Sequence, residues 1–339
     1  MKIAIYGIGA FGFAITKHLS ENLKRNPNYS LFAYDRNPKL MKKLRRSRKH
    51  LYHHPKVKVN KKVNFVSSPQ ELIDQADVLI LAVTSSSIPE VMKQCQKFIN
   101  KDIVIVNLAK ALYYKTGQRF SQVVEQILEK SSFKHSYAAL GGGTIAADLF
   151  QQEPLGIDIA SKDKKTLRIL SRIFTSDNLN VYTTTDLPGV EYAGAFKNVI
   201  SILAGIICGM GFSYGSETHF ITRAAHEIAL FLQKKAKVSP LTFSIQSQCW
   251  GNDLWLSCTG NTRNRQYGML IGKGNSPQQA LKIMGKKHKT VEGINTIRIL
   301  KKLLPNKRQY PIMQGIYEIV IQGRKPKPII QELMSSNRM

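Results

Sequence analysis

An α/β doubly wound N-terminal domain followed by an all-α C-terminal domain is the architecture that this 339-residue sequence predicts. Three observations carry the reading. Short apolar runs alternate with helix-patterned stretches up to about residue 186. The first run leads directly into a glycine-rich turn, Gly7-Ile8-Gly9-Ala10-Phe11-Gly12. After Asp186 strand signals nearly vanish and apolar residues recur with the helical period. Strands alternating with helices build a parallel sheet covered on both faces, and successive helices build a separate bundle. The chain therefore divides into residues 1–187 and 188–339, matching a prior of about 150 residues per domain.

Residues 2–6 form an Ile-rich strand, and a helical pattern follows to residue 23. Residues 29–35 and 63–66 read as the next strands. Residues 77–84 are nearly continuously apolar, as a strand buried on both faces requires, and 102–108 repeat the pattern. Residues 136–140 run into three glycines, and strands at 155–160 and 179–184 flank a helix at 164–174. Beyond them, helical periodicity covers 190–211, 219–237, 277–284, 291–304 and 311–321, and Pro326 and Pro328 punctuate a last short helix.

Composition narrows the function classes. Hydrophobic residues make up 43% and charged residues 21%, which excludes disorder as the main state. The four cysteines, at 95, 208, 249 and 258, form no CxxC pair and no zinc spacing, so no metal is expected and a reducing cytoplasm suits them. The start, Met1-Lys2-Ile3-Ala4-Ile5, enters a strand without a secretory apolar region. The apolar run at 199–212 is too short to span a bilayer and reads as a buried core helix, so no stable membrane insertion is expected. Lysine and arginine total 50 against 22 acids, a net charge of +28 that favours anionic ligands. Residues 36–70 contain no acid, and Lys42, Lys43, Arg45, Arg46, Arg48 and Lys49 form a block. A nucleic-acid or other polyanion surface and a merely solvated face both fit. The absence of aromatics at stacking spacing favours the solvated face.

The glycine turn is G-x-G-x-x-G in the context that gives it meaning, after a strand and opening a helix. Gly7 makes the tight turn, Gly9 lets the backbone approach a pyrophosphate, and Gly12 lets helix and strand pack closely. The helix start offers N–H groups and a positive dipole end to phosphates. The N-terminal domain is therefore of Rossmann type, binding NAD or NADP. Asp35, 23 residues beyond Gly12, could accept both ribose hydroxyls and favours NAD. Arg36 and its basic surroundings favour NADP, and the sequence leaves both open.

Reduction of a ketone needs a proton for the developing alkoxide. Glu191-Tyr192-Ala193-Gly194-Ala195-Phe196-Lys197-Asn198 puts a lysine at the entry to an apolar helix, where a lowered pKa would suit it as a proton donor. The other reading is a lysine with its head in solvent. Downstream lie Asp253-Leu254-Trp255-Leu256-Ser257-Cys258 and Thr262-Arg263-Asn264-Arg265. Two arginines flanking an asparagine could clamp a phosphate or lie on an exposed loop.

These motifs, with Val291-Glu292-Gly293, occur in an order that resembles the bacterial-type NAD(P)-dependent glycerol-3-phosphate dehydrogenase family over residues 1 to about 325. The resemblance implies interconversion of dihydroxyacetone phosphate and sn-glycerol 3-phosphate, a cytoplasmic homodimer and supply of glycerol phosphate for phospholipid synthesis. It implies Lys197 as general acid/base and Lys110 as a second catalytic lysine touching substrate and cofactor. It places Gly142, Thr144, Asp253, Thr262, Arg263 and Asn264 around the substrate. Ala10, Phe11, Arg36, Ala146, Arg263, Thr290 and Glu292 fall at cofactor-contacting positions.

The family pattern is altered in places. Gly-Pro-Ser/Thr-Phe-Ala becomes Gly142-Gly143-Thr144-Ile145-Ala146, Lys-Gly becomes Lys110-Ala111, and a glycine before Asp253 becomes Asn252. If that glycine sits at positive φ, asparagine is among the few substitutes tolerated. The changed turn keeps a second reading open, a reductase for another phosphorylated or carboxylated ketone. The basic block keeps a third open, a non-catalytic nucleotide- or polyanion-binding homologue.

Overall fold

A computed structural model describes residues 1–23, 27–286, 290–304 and 309–335. They fall into two compact units, Met1–Ala109 with Phe120–Val190, and Lys110–Arg119 with the chain from Glu191 onward.

The first unit is built on one eight-stranded sheet. Its strands are Lys2–Tyr6 (β1), Ser30–Tyr34 (β2), Val63–Phe65 (β3), Val78–Leu81 (β4), Ile103–Asn107 (β5), His135–Gly141 (β6), Leu155–Ser161 (β7) and Leu179–Thr184 (β8). The order is β3-β2-β1-β4-β5-β6-β7-β8. All of β4 is buried, as its unbroken apolar run requires. The sheet is parallel except that β7 runs antiparallel to β6. The sequence reading had every strand parallel. The link from Gly141 to Leu155 carries one short helix and returns the chain antiparallel beside β6, which no local pattern in the sequence marks.

The helices of this unit are Ala10–Asn22 (α1), Pro38–Ser47 (α2), Pro69–Ile73 (α3), Ile88–Gln96 (α4), Phe120–Leu128 (α5), Ala146–Gln151 (α6) and Lys164–Phe174 (α7). Their starts are chemically marked. Asn37 accepts from the Leu40 N–H ahead of Pro38, and Asp163 accepts from the Lys165 and Thr166 N–H groups. The start of α1 differs, because Gly9 offers no side-chain cap and the first turn has no acid.

The second unit contains the helices Leu187–Gly209 (α8), Tyr214–Ala236 (α9), Asp253–Thr259 (α10), Arg263–Gly272 (α11), Pro277–Lys286 (α12), Gly293–Leu303 (α13), Pro311–Val320 (α14) and Pro326–Ser335 (α15). Among the described residues, α8 is the one helix long and apolar enough to cross a membrane. It is mostly buried, which is how a core helix reads. Helices α8 and α11 cross at backbone contact. A Cβ on Gly268 would stand 2.1 Å from the Ile202 carbonyl oxygen, and one on Gly205 2.1 Å from that of Arg265. Gly268→Ala must push the two helices apart and is expected to cost about 2 kcal/mol or more. A thermal melt of the variant checks this, and an unchanged midpoint would show that the crossing is soft.

Candidate active site

In the first unit the carboxyl end of β1 delivers Gly7 at φ +98°, a backbone conformation that suits glycine. A Cβ there would meet the Ala82 carbonyl oxygen at 2.7 Å, and a Cβ on Gly12 would meet that of Gly7 at 2.1 Å. Gly9 is different, because a Cβ on it meets nothing within 4 Å. Open space above Gly9 and an uncapped, acid-free helix start beginning at Ala10 and Phe11 are what a pyrophosphate needs. The residues present fit a dinucleotide. Asp35 supports this turn, accepting the Ile8 N–H at 2.8 Å and the Asn37 N–H at 2.9 Å. Arg36 beside it is exposed. His50, unremarked in the sequence, is buried and bonds the Ile8 carbonyl oxygen at 2.7 Å through Nε2, while its Nδ1 accepts from the Tyr52 and His53 N–H groups.

Also in this unit, Gly142 follows β6 at φ +143°, and Ala146 opens α6. Between them Thr144 is 7% exposed, and its buried hydroxyl oxygen has no hydrogen-bond partner. A buried hydroxyl without a partner is costly and marks a place where a ligand atom can complete the bonding.

The second unit holds a lysine pair on one carboxylate. Asp253, at the start of α10, is 1% exposed. Its Oδ1 accepts from Lys197 Nζ at 2.8 Å and its Oδ2 from Lys110 Nζ at 2.8 Å. Lys197 Nζ also donates to Ser257 Oγ at 2.7 Å. Lys197 is 8% exposed, so its head is not in solvent. Burial lowers the Lys197 pKa, the Lys110 charge adds to that, and Asp253 opposes it. For Asp253, burial pushes upward, but two adjacent ammonium groups hold the carboxyl below its ordinary value. One carboxylate and two lysines leave a net positive site.

The surrounding residues hold this arrangement. Asn198 donates to the carbonyl oxygens of Lys110 and Gly194. A Cβ on Gly194 would stand 3.2 Å from Lys110 Cβ, so glycine seats the second lysine against α8. Glu191 pairs with Arg119 at 3.1 Å, tying the 110–119 segment to the same helix. Asn264 donates to Asn198 at 2.9 Å and accepts the Gly293 N–H, so its amide is largely committed to the framework. Thr262 donates to the Ser257 carbonyl oxygen. Arg263 is exposed and bonds Thr290 at 3.0 Å. Burial raises the pKa of Glu292, opposed by Arg263, Lys197 and Lys110.

The structure decides two points that the sequence leaves open. Arg265 makes no phosphate clamp with Arg263. It forms a forked pair with buried Glu217, with contacts of 2.8, 3.1 and 3.1 Å. Asn252 lies at φ −64°, so this chain needs no positive-φ residue there. Instead 248–252 form a turn of π-helix, a bulge with no local sequence signal. Glu217→Ala leaves the Arg265 charge without its partner and is expected to cost about 3 kcal/mol. Urea denaturation measures it, and a loss below about 1 kcal/mol would place the pair with weak surface bridges.

Ser257 and Asn198 are site residues that the sequence reading did not single out. Both stand inside motifs it quoted; Ser257 lies one helical turn from Asp253, a signal that was available, whereas Asn198 directly follows Lys197 and carried none.

A glycine cradle for a dinucleotide and a lysine pair on a buried carboxylate, poised to move a proton, define the class, a nicotinamide-dependent oxidoreductase. The chain belongs to the NAD-dependent glycerol-3-phosphate dehydrogenase family. The family model of the N-terminus matches residues 2–167 and that of the C-terminus residues 186–331. The glycerol-3-phosphate dehydrogenase (NAD(P)+) of Syntrophomonas wolfei is 31% identical, covering 98% of this chain and 94% of that protein. The glycerol-3-phosphate dehydrogenase structure from Plasmodium falciparum superposes with a TM-score of 0.91 at 19% identity, covering 100% and 96% of the two chains. That from Coxiella burnetii gives 0.83 at 21% identity, covering 98% of each. At these identities the two structures establish the shared fold.

Proposed function

We propose that this protein interconverts dihydroxyacetone phosphate and sn-glycerol 3-phosphate with NAD(P)H, supplying glycerol phosphate for phospholipid synthesis in a reducing cytoplasm. The observation that carries the reading is the Lys197–Asp253–Lys110 constellation. A lysine with a lowered pKa, held in place by a carboxylate, is the proton donor that ketone reduction needs.

When bound, the dinucleotide supplies the hydride that adds to C2 of the ketone. Lys197 has three N–H bonds, of which Asp253 and Ser257 take two. The third donates its proton to the oxygen at C2 as negative charge develops there. Lys110 adds positive potential beside that oxygen, and Asp253 keeps both ammonium groups aimed. In the reverse direction neutral Lys197 takes the hydroxyl proton. Exposed Arg263 binds the phosphate by charge. The Thr144 hydroxyl offers a ligand atom the bond it lacks. Asn264 acts chiefly by fixing Asn198, and through it Lys110. Arg36 contacts the adenosine end of the dinucleotide, and two copies of the chain form the active protein.

The test is loss of reduced-nicotinamide absorbance with dihydroxyacetone phosphate and NADH or NADPH. Turnover with either supports the reading. No turnover from folded protein that binds the dinucleotide would falsify it and direct attention to the altered turn at Gly143 and Ile145.

A further inference from the structure

The proposed reaction leaves one large feature unused. From Arg36 to Gln70 there are twelve lysines and arginines and no acid. The structure sorts ten of them into two groups. Arg45 donates to the carbonyl oxygens of Phe65 and Val66, and Arg48 to that of Val63, so these two are spent on holding α2 against the edge strand β3. The exposed face of α2 instead carries Lys39, Lys42, Lys43 and Arg46, and the following loop carries exposed Lys56, Lys58, Lys61 and Lys62. Lys49 and Lys58 pair across an antiparallel bridge that closes this loop. Two apolar side chains stand out at its near end, Leu51 at 39% exposure and Tyr52 at 61%. The residue just before them, His50, is buried and bonded at both ring nitrogens, so the tip is preformed.

We propose that α2 and the 49–62 loop are a docking surface for an anionic lipid bilayer. Three features favour lipid over nucleic acid. The free cations are mostly lysines, point charges on flexible stems that suit a diffuse layer of phosphates. Two of the arginines that could have made forked contacts are bound to carbonyls. The loop presents a leucine and a tyrosine side by side, a pair suited to the interface between headgroups and acyl chains. The surface adsorbs to the membrane without crossing it.

Sedimentation of the full-length protein with vesicles tests this. Binding is expected with phosphatidylcholine vesicles containing phosphatidylglycerol and not with pure phosphatidylcholine, and it weakens as salt rises. Each exposed lysine or arginine near the surface contributes about a fivefold factor, so K42Q/K43Q/R46Q together weaken binding about a hundredfold. Tyr52→Ser weakens it further at constant charge. Turnover and melting midpoint stay unchanged in these variants, because the altered side chains are exposed and lie outside the proposed site. If the triple variant melts early, Lys43→Gln alone carries the test at fivefold. Equal binding to uncharged vesicles overturns the proposal, as does full binding by the charge variants. So does displacement from the vesicles by duplex DNA together with an unaffected Tyr52→Ser variant, which would make the partner a nucleic acid.

Discussion

Lys197→Ala is expected to lower kcat for ketone reduction about a thousandfold while dinucleotide binding and the fold are retained. A positioned general acid contributes about 10²–10⁴ to rate. Lys197 is the buried donor that Asp253 and Ser257 hold in one orientation. The variant keeps Lys110, so some electrostatic stabilisation survives and the activity does not fall to zero. The pH dependence of the parent protein belongs to the same argument. Burial holds the lysine pKa below its ordinary value. Reduction needs the ammonium form, so its rate falls as pH rises through that lowered pKa. Oxidation needs the neutral amine, so its rate rises over the same range. Steady-state kinetics in both directions across pH read this directly. A variant within tenfold of the parent would remove Lys197 from the chemistry.

Asp253→Asn is expected to lower kcat/KM for reduction at neutral pH by about 10²-fold, by a different route. The substitution nearly preserves shape and removes a negative charge that touches both lysines. Lys197 then faces Lys110 without that counter-charge. Its pKa falls further, and the alkaline limb of the reduction profile moves to lower pH. The shift of that limb separates this cause from simple loss of packing, which would lower the plateau and leave the limb in place. An Asn variant with the parent's limb would show that the carboxylate only fills space. Its melting midpoint is expected to fall too, since buried Lys197 loses its charged partner.

Much of this was legible in the chain because it is encoded over short distances. The glycines at 7, 9 and 12 report one turn, and their context between strand and helix sufficed to assign it. The unbroken apolar run through Val78–Leu81 marked a strand buried on both faces before any partner was known. The helical period after residue 186 marked where strand signals end, but nothing local showed that residues 110–119 belong with the helical unit. Lys197 stood out because a lysine entering an apolar helix is costly without a partner.

Other features depend on residues that local patterns cannot connect. The reversal of β7 is a matter of which way the chain returns along β6, and no periodicity in the strand itself reports it. Arg265 looked like half of a phosphate clamp until packing set Glu217 beside it, 48 residues away in the chain. The Asp35 carboxylate, expected to await a ribose, also supports the turn through Ile8. The orphaned hydroxyl of Thr144 is a property of burial, which spacing does not report.

By itself the sequence determined which chemical groups this protein has and which element each one rides on, since periodicity, caps and turn residues act within a few positions. The tertiary structure alone decided that Asp253 stands between Lys197 and Lys110, across separations of 56 and 143 residues. The physical reason is that a pKa and a hydrogen-bond partner are set by burial and by charges a few ångströms away in space, and the long-range packing of the chain supplies both.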